Sequence, residues 1–438
     1  MTLDVKRFLS DEKGGIALLT GIVTPALALS VGLAIDGAQL YSIKHQLRYA
    51  LDSAVTSTAR DITTGKIPVA DARKSVEMFL QANGIGNFIE EGTIKLDKLV
   101  IDQTAKTLSV DASVDADLVF PVYQISGMRT VSASSAAVYS DKTIEVAMVL
   151  DITGSMGKLN KLEDLQSAAK NAVNLFLDGQ DPAKPRVRIS VVPYSASVNT
   201  GVMSNTVYVE TSSSTDVPPS LNDPKLVSAT SFDGCSTERK TATGGADISD
   251  NSPFVAMVNR DDRLNFCPKS PLQPLTSDQV ALDNTIDGFK AGGYTAGHIG
   301  IQWGWYMLSP NWKNALPAGS APENYNSKKV AKYAIVMTDG EFNTAYAGVP
   351  GTEKTEGAQA VRSNNNAEML CGEMKKDGIE IFTIGFMLDS TSARDVLSKC
   401  ASKDTGSVQH FYEAADGTAL NQTFEKIAAN IERLALTK

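Results

Sequence analysis

Asp151, Thr153 and Ser155 alternate in VLDITGSMG, directly after the apolar run Ile144–Leu150. In an extended turn alternate side chains fall on one side, so one carboxylate and two hydroxyls can converge. Two further oxygen donors occupy comparable places: Asp339 in VMTDGEFN, before Gly340, and Thr295 in AGGYTAGHIG, where two glycines permit close backbone approach and a helix follows. Two Asp with two or three Ser/Thr form a hard donor set that suits Mg2+ or Mn2+, ions that take octahedral oxygen and keep some waters. Such a site has room for an external carboxylate. Each donor alone has an ordinary explanation, Asp-Gly as a turn and Ser/Thr after a strand as a helix cap. Their order along an alternating chain is what gives them weight.

The elements that must position them lie in residues 142–438. Strands are expected at Ile144–Leu150, Arg186–Tyr194, Tyr333–Met337, Ile379–Phe386 and Val408–Tyr412. Helices are expected at Asn160–Leu177, Ser277–Lys290, Ala296–Leu308, Asn366–Lys376, Thr391–Ala401 and Asp416–Leu434, from apolar residues at three- and four-residue spacing. Strand and helix in alternation imply an α/β fold, a doubly wound and mainly parallel sheet with helices on both faces. Ligands of such sheets bind beyond the carboxyl ends of the strands, where the oxygen donors stand. Residues 195–276 are rich in Ser, Thr, Asp, Pro and Gly, and too long for a structureless loop. They read as an insertion near the donor face, with Thr206–Glu210 (TVYVE) as an edge strand within it.

Toward the N-terminus no charge lies between Lys13 and Asp36, and residues 14–35 would span about 33 Å as a helix, enough to cross a bilayer. A cleaved signal would have a shorter apolar core and a small-residue cleavage site, whereas Asp36-Gly37 follows here, which favours a retained anchor behind a short head, residues 1–13. Pro25 sits mid-span, where lipid-embedded helices tolerate it. Lys6, Arg7 and Lys13 on one side nearly balance Lys44 and Arg48 on the other, so basic residues do not orient the span. The cysteines do so. Cys235, Cys267, Cys371 and Cys400 suit disulfides in an oxidising compartment. Of three connectivities we favour Cys235 with Cys267 and Cys371 with Cys400, which close local loops, against four buried free thiols.

Residues 36–141 form a membrane-proximal region. Leu40, Ile43, Leu47 and Ala54 continue a helix to about Arg60, and Val76, Phe79 and Leu80 mark a second one that Gly84 would stop. From Leu108 to Leu118 apolar and polar residues alternate strictly, a half-buried strand with KLDKLVID and TVSASSAAVYS as neighbours. A long apolar helix followed by a small antiparallel sheet is a pilin-like layout.

The 438 residues, 42% hydrophobic and 21% charged with 33 Gly and 17 Pro, exclude a disordered tail, collagen or a coiled-coil rod and leave room for two or three domains. A net charge of −9 without a basic stripe argues against nucleic acid as a partner. His45, His298 and His410 lie far apart and no Cys-x-x-Cys occurs, which argues against zinc and iron–sulfur chemistry. His298 reads as a capped or exposed loop residue, Trp303, Trp305 and Tyr306 as packing residues, and Glu341 as a solvated acid.

The run Asp151, Thr153, Ser155, then Thr295 and then Asp339 resembles the metal-ion-dependent adhesion site of von Willebrand factor type A domains. That resemblance implies direct coordination of Mg2+ or Mn2+ by Ser155 and Thr153, coordination by Thr295 directly or through water, and water-mediated roles for Asp151 and Asp339. Thr153 replaces a serine frequent in relatives and keeps the oxygen. The segment RFLSDEKGGIALLTGIVTPALALSVGLAIDGAQLYSIKHQLRYALDSAV is similar to the N-terminus of TadE/TadG-like proteins of the bacterial tight-adherence (Flp) pilus machinery. Prepilins cleaved by a peptidase carry Glu at the fifth position after the cleaved Gly, where this chain has Leu19 or Thr20, again favouring a retained anchor. Together the resemblances imply an inner-membrane, single-pass protein with most of its chain in the periplasm. In pilus assembly or adhesion it would bind a protein partner that presents an acidic residue to the metal.

Two other readings compete. A strand-end Asp followed by Thr also resembles haloacid-dehalogenase-type phosphatases, but Thr153 stands where their second Asp, the acid/base, is needed. Ser155 lacks a Gly-x-Ser-x-Gly context for a hydrolase nucleophile, so no enzyme is expected. The other reading is a scaffold or minor pilus subunit in which the ion is purely structural.

Overall fold

The structure is a computed structural model and describes residues 15–82, 94–116, 118, 129–140, 142–181, 183–211, 218–223, 228–326, 328–349, 356–406 and 408–437. The head 1–13 and the expected stop at Gly84 lie outside them. The chain divides into two compact units, Met1–Ile62 with Ile67–Ser140, and Thr63–Lys66 with Asp141–Lys438.

In the first unit α1 (Gly15–Thr64) runs unbroken through Pro25. Its N-terminal half exposes Leu19, Ile22, Leu27, Leu29 and Val31, and this stretch is long and apolar enough to cross a membrane. Beyond Asp36 one face turns inward: Ile43, Leu47, Leu51, Val55 and Ile62 are buried, the spacing of a helix resting on a core. The helix ends four residues beyond the expected Arg60, at Thr64. α2 (Ala72–Ala82) adds Val76 and Leu80 to that core. The remaining wall is an antiparallel sheet in the order β1 (Lys95–Asp102), β2 (Thr107–Asp115), β3 (Thr130–Val138). Leu108, Val110, Ala112 and Val114 of β2 point into the core, as strict alternation requires.

The second unit is built on a six-stranded sheet. Its strands are β4 (Thr143–Asp151), β5 (Val187–Tyr194), β10 (Gln273–Thr276), β11 (Val330–Thr338), β12 (Glu380–Phe386) and β13 (Phe411–Ala414), in the order β10-β5-β4-β11-β12-β13. All neighbours are parallel except β10 with β5. Four short strands belong to the connection after β5: β6 (Val198–Asn199) pairs with β8 (Cys235–Ser236), and β7 (Val207–Val209) with β9 (Val258–Arg260). The helices are α3 (Lys161–Leu177), α4 (Gln279–Asp287), α5 (Gly297–Leu308), α6 (Glu356–Lys376), α7 (Thr391–Cys400) and α8 (Gly417–Thr437).

Alternation along the central strands sorts two cores. Val146, Met148 and Leu150 pack with α3, α4 and α8, while Ala147 and Val149 pack with α5, α6 and α7. Burial on both faces explains the unbroken apolar stretch Val146–Leu150 in β4. Disulfides join Cys235 to Cys267 within the connection and Cys371 of α6 to Cys400 of α7.

Among the boundaries that differ from those read off the sequence, three in this unit matter most. β10 is a strand of the main sheet, though it falls inside the segment read as an insertion; its Pro274 hides it from a strand search but is tolerated at an antiparallel edge. α6 begins ten residues before the expected Asn366, because GAQAVRSNNN is too polar to display an apolar period. The last strand is β13, displaced toward the C-terminus from Val408–Tyr412.

Every residue of α5 is buried, and its glycines let the helix lie directly on the sheet. A Cβ at Gly300 would stand 2.6 Å from ring carbons of Tyr194, and one at Gly304 2.5 Å from Val149. Gly300→Ala would gain about 1 kcal/mol of helix propensity. Overpacking costs about 1–3 kcal/mol and prevails. A melting temperature lower by about 2–6 °C is expected by circular dichroism. An unchanged or raised value would show that Tyr194 can retreat freely.

Candidate metal centre

Parallel pairing brings the donors together. Leu150 of β4 is in register with Met337 of β11, so the chain leaves both strands at the same level, with Asp151 at one exit and Asp339 at the next. Asp151, Thr153 and Asp339 are buried and Ser155 half-buried. The Thr153 and Ser155 hydroxyls lie 3.0 Å apart, and Ser155 Oγ donates to Asp339 Oδ1 at 2.6 Å. Asp151 faces the other way. Its Oδ1 accepts from Thr153 N at 2.8 Å, and its Oδ2 from Thr338 Oγ1 at 2.7 Å and from Tyr194 OH at 3.4 Å.

Thr295 is buried on the same rim, and hydrogen bonds tie its loop to those of the other donors. Gly154 N donates to Gly293 O and Gly292 N to Ile152 O, both at 3.0 Å. Asn343 clamps Thr295 from the far side, accepting from Thr295 N at 2.9 Å and donating its own N–H to Thr295 O at 2.8 Å. Gly293 holds φ +77, and a Cβ there or at Gly292 would strike Phe266, the neighbour of disulfide-bonded Cys267. The insertion therefore packs directly under the Thr295 loop, and both glycines are needed for that approach.

Burial, reinforced by the nearby charge of Asp339, pushes the Asp151 carboxyl up to about 6. Burial, and then the Asp151 charge, drives the Tyr194 phenol well above its usual range, so it stays a donor. Asp339 has a cation of its own: Lys161 Nζ donates to Oδ2 at 2.9 Å, with the lysine side chain 11% exposed.

Sequence reasoning missed Lys161, Tyr194, Thr338 and Asn343. Of these only Asn343, in TDGEFN, carries a local signal. His298 is neither a ligand nor a loop residue: it is buried in α5, with Nδ1 2.6 Å from Ser363 Oγ and Nε2 2.7 Å from Glu238 Oε1. Helix α5 begins at Gly297, so the residue falls inside it, and the two buried partners hold the ring. Trp303 and Trp305 pack in the core, and Glu341 is exposed.

Two other groups of acidic or sulfur ligands gather among the described residues. At Asp233, Cys235 and Cys267 the disulfide consumes both sulfurs. At Glu210, Asp261 and Asp262 the ammonium of Lys240 already lies between Glu210 and Asp261, at 2.5 and 2.6 Å. The cluster of Thr153, Ser155 and Asp339, with Asp151 and Thr295 beside it, offers oxygen donors of the kind a hard divalent ion takes.

The family model described as putative Flp pilus-assembly TadE/G-like matches residues 14–61. No curated protein matches the chain. Among solved structures the chain is similar to the vWF domain of the type V pili tip protein Mfa5 from Porphyromonas gingivalis, at 15% identity over 68% of this chain and 97% of that one, TM-score 0.37. It is also similar to the pilus adhesin SpaC from Lactobacillus rhamnosus GG, at 13% identity over 78% of this chain, TM-score 0.37; it spans only 35% of SpaC. A third is proximal thread matrix protein 1 from the mussel byssus with a zinc-occupied MIDAS motif, at 13% identity over 67% of this chain and 46% of that one, TM-score 0.33. Residues 14–61, then, match the TadE/G-like pilus-assembly model, and a doubly wound α/β domain with an oxygen-lined strand-end site follows that segment in sequence.

Proposed function

We propose that this chain is an inner-membrane-anchored protein of tight-adherence pilus assembly or adhesion, whose α/β domain captures an acidic side chain of an extracytoplasmic partner through a bound divalent ion. Ser155 and Thr153 would ligate Mg2+ or Mn2+ directly, Thr295 directly or through water, and Asp151 and Asp339 through water. When bound, the ion supplies an open coordination position for the partner's carboxylate.

The observation that carries this reading is the half-buried Ser155 hydroxyl, 3.0 Å from that of Thr153 and 2.6 Å from Asp339 Oδ1, which gathers three oxygen donors at the strand ends. The chain's own groups keep these donors ready. Thr338, Tyr194 and the Thr153 amide hold Asp151, which fits its placement behind water, and Asn343 holds the Thr295 loop. Both carboxylates have protein partners of their own, which supports a binding role for the ion over a purely structural one. Two disulfides support a periplasmic address, and the exposed apolar stretch of α1 supports the anchor.

Calorimetric titration of the full chain in detergent with Mn2+ tests this. Saturable binding is expected, with Ser155→Ala weakened by about tenfold or more while its melting temperature in the absence of metal stays within about 2 °C. A folded wild-type protein that takes up no Mn2+ sinks the reading.

A further inference from the structure

Lys161 is the first residue of α3, where the helix dipole disfavours a cation, and Glu163 and Asp164 follow it in the first turn. The turn that delivers it is strained: Leu159 and Asn160 adopt φ +55 and +59 without glycine, and Asn160 provides no side-chain cap. Neither helix propensity nor capping explains a lysine here. What explains it is its far end, an ammonium buried to 11% exposure and 2.9 Å from Asp339 Oδ2, on the opposite oxygen from the one Ser155 binds.

We infer that Lys161 sets the balance between ion and ligand at this site, weakening the grip on the divalent ion alone and strengthening the grip on an external carboxylate once the ion is bound. The inference rests on the metal reading above. Its basis is charge. Asp151, Asp339 and Lys161 sum to −1, so a divalent ion leaves the loaded site at +1, and one external carboxylate brings it to zero. Without the lysine the loaded site would be neutral and a carboxylate would make it −1. In a poorly solvated cluster these differences are felt strongly. Lys161 thus makes the acidic partner part of the site's neutrality and ties firm retention of the ion to the partner's arrival.

The test uses the full chain in detergent, Mn2+ as the ion and acetate as the carboxylate, read by calorimetry. Lys161→Gln keeps a donor to Asp339 and removes the charge; Lys161→Arg keeps the charge. We expect Lys161→Gln to bind Mn2+ alone about fivefold more tightly or better than wild type, and to lose the enhancement of Mn2+ affinity that acetate gives the wild type. Lys161→Arg should behave as wild type in both titrations. Folding is checked by the melting temperature without metal. A folded Lys161→Gln with unchanged or weaker Mn2+ affinity overturns this inference and leaves the metal reading standing. Absence of Mn2+ binding in wild type and both variants overturns the two together. If Lys161→Gln does not fold, a wild-type Mn2+ affinity that acetate leaves unchanged is enough to reject the inference.

Discussion

Lys240→Met is expected to destabilise the α/β domain by about 3–5 kcal/mol, with the damage centred on the insertion after β5. Lys240 and its partners Glu210 and Asp261 have fully buried side chains, and the ammonium lies 2.5 and 2.6 Å from the two carboxylates. Removing it strands two acids away from water. The acids differ. Burial would raise Asp261, but hydrogen bonds from Arg263 and Lys240 outweigh it and hold the carboxyl at about 2. Glu210 has no arginine, and burial pushes it up to about 7 even with Lys240 in place. Glu210 is therefore the group that takes a proton when the lysine is lost. A carboxyl raised by folding contributes most when protonated, and that contribution fades as pH climbs through its folded value. The loss in Lys240→Met should be largest above pH 7 and smaller at pH 5. Thermal unfolding at both pH values, with limited proteolysis to locate new cleavage between 195 and 276, reads this out. A loss below about 1 kcal/mol at either pH would show that the pair of acids finds water or other donors once the lysine is gone.

The insertion matters to the site because its residues support the donor loops. Phe266 packs on Gly292 and Gly293, Glu238 holds His298 at the start of α5, and the same Glu238 oxygen accepts from Tyr346 N just beyond Asn343. Loosening the Lys240 cluster should therefore reach the Thr295 loop through contacts present in the fold.

How far the sequence announces all this depends on the range of the interaction. Asp151, Thr153, Ser155 and Asp339 are legible because strand-end residues after apolar runs are local features, and parallel pairing of β4 with β11 then brings them together. Period 2 identified β2 because one of its faces is wet. Helix α5 is legible as well, yet the place of His298 is not, because the partners that bury its ring, Ser363 and Glu238, lie far along the chain. Lys161 is illegible too. Its role follows from a left-handed turn at Leu159-Asn160 that no glycine marks, and from a partner far along the chain. Tyr194 and Thr338 look like ordinary strand residues until register sets them around Asp151.

The second large effect is expected in the pH dependence of ion binding. In the metal-free protein burial, and next the charge of Asp339, pushes Asp151 up to about 6, so protons and a divalent ion compete for the same negative charge in that range. Mn2+ affinity should be nearly level between pH 7 and 8 and about tenfold weaker at pH 5 than at pH 7. Stability must move in the linked direction. A carboxyl whose folded value is raised favours the fold when protonated and ceases to do so as pH rises through about 6, so charged Asp151 is a liability in the ion-free domain at neutral pH. An ion beside it relieves that liability, and added Mn2+ should raise the melting temperature more at pH 7 than at pH 5. Asp151→Asn, which cannot ionise, should bind weakly and with little pH dependence from 5 to 7. Calorimetry across that range compares the two proteins directly. A wild-type affinity that is flat from pH 5 to 8 would mean that Asp151 is ionised throughout, and that its hydrogen bonds from Thr153 and Thr338 prevail over burial.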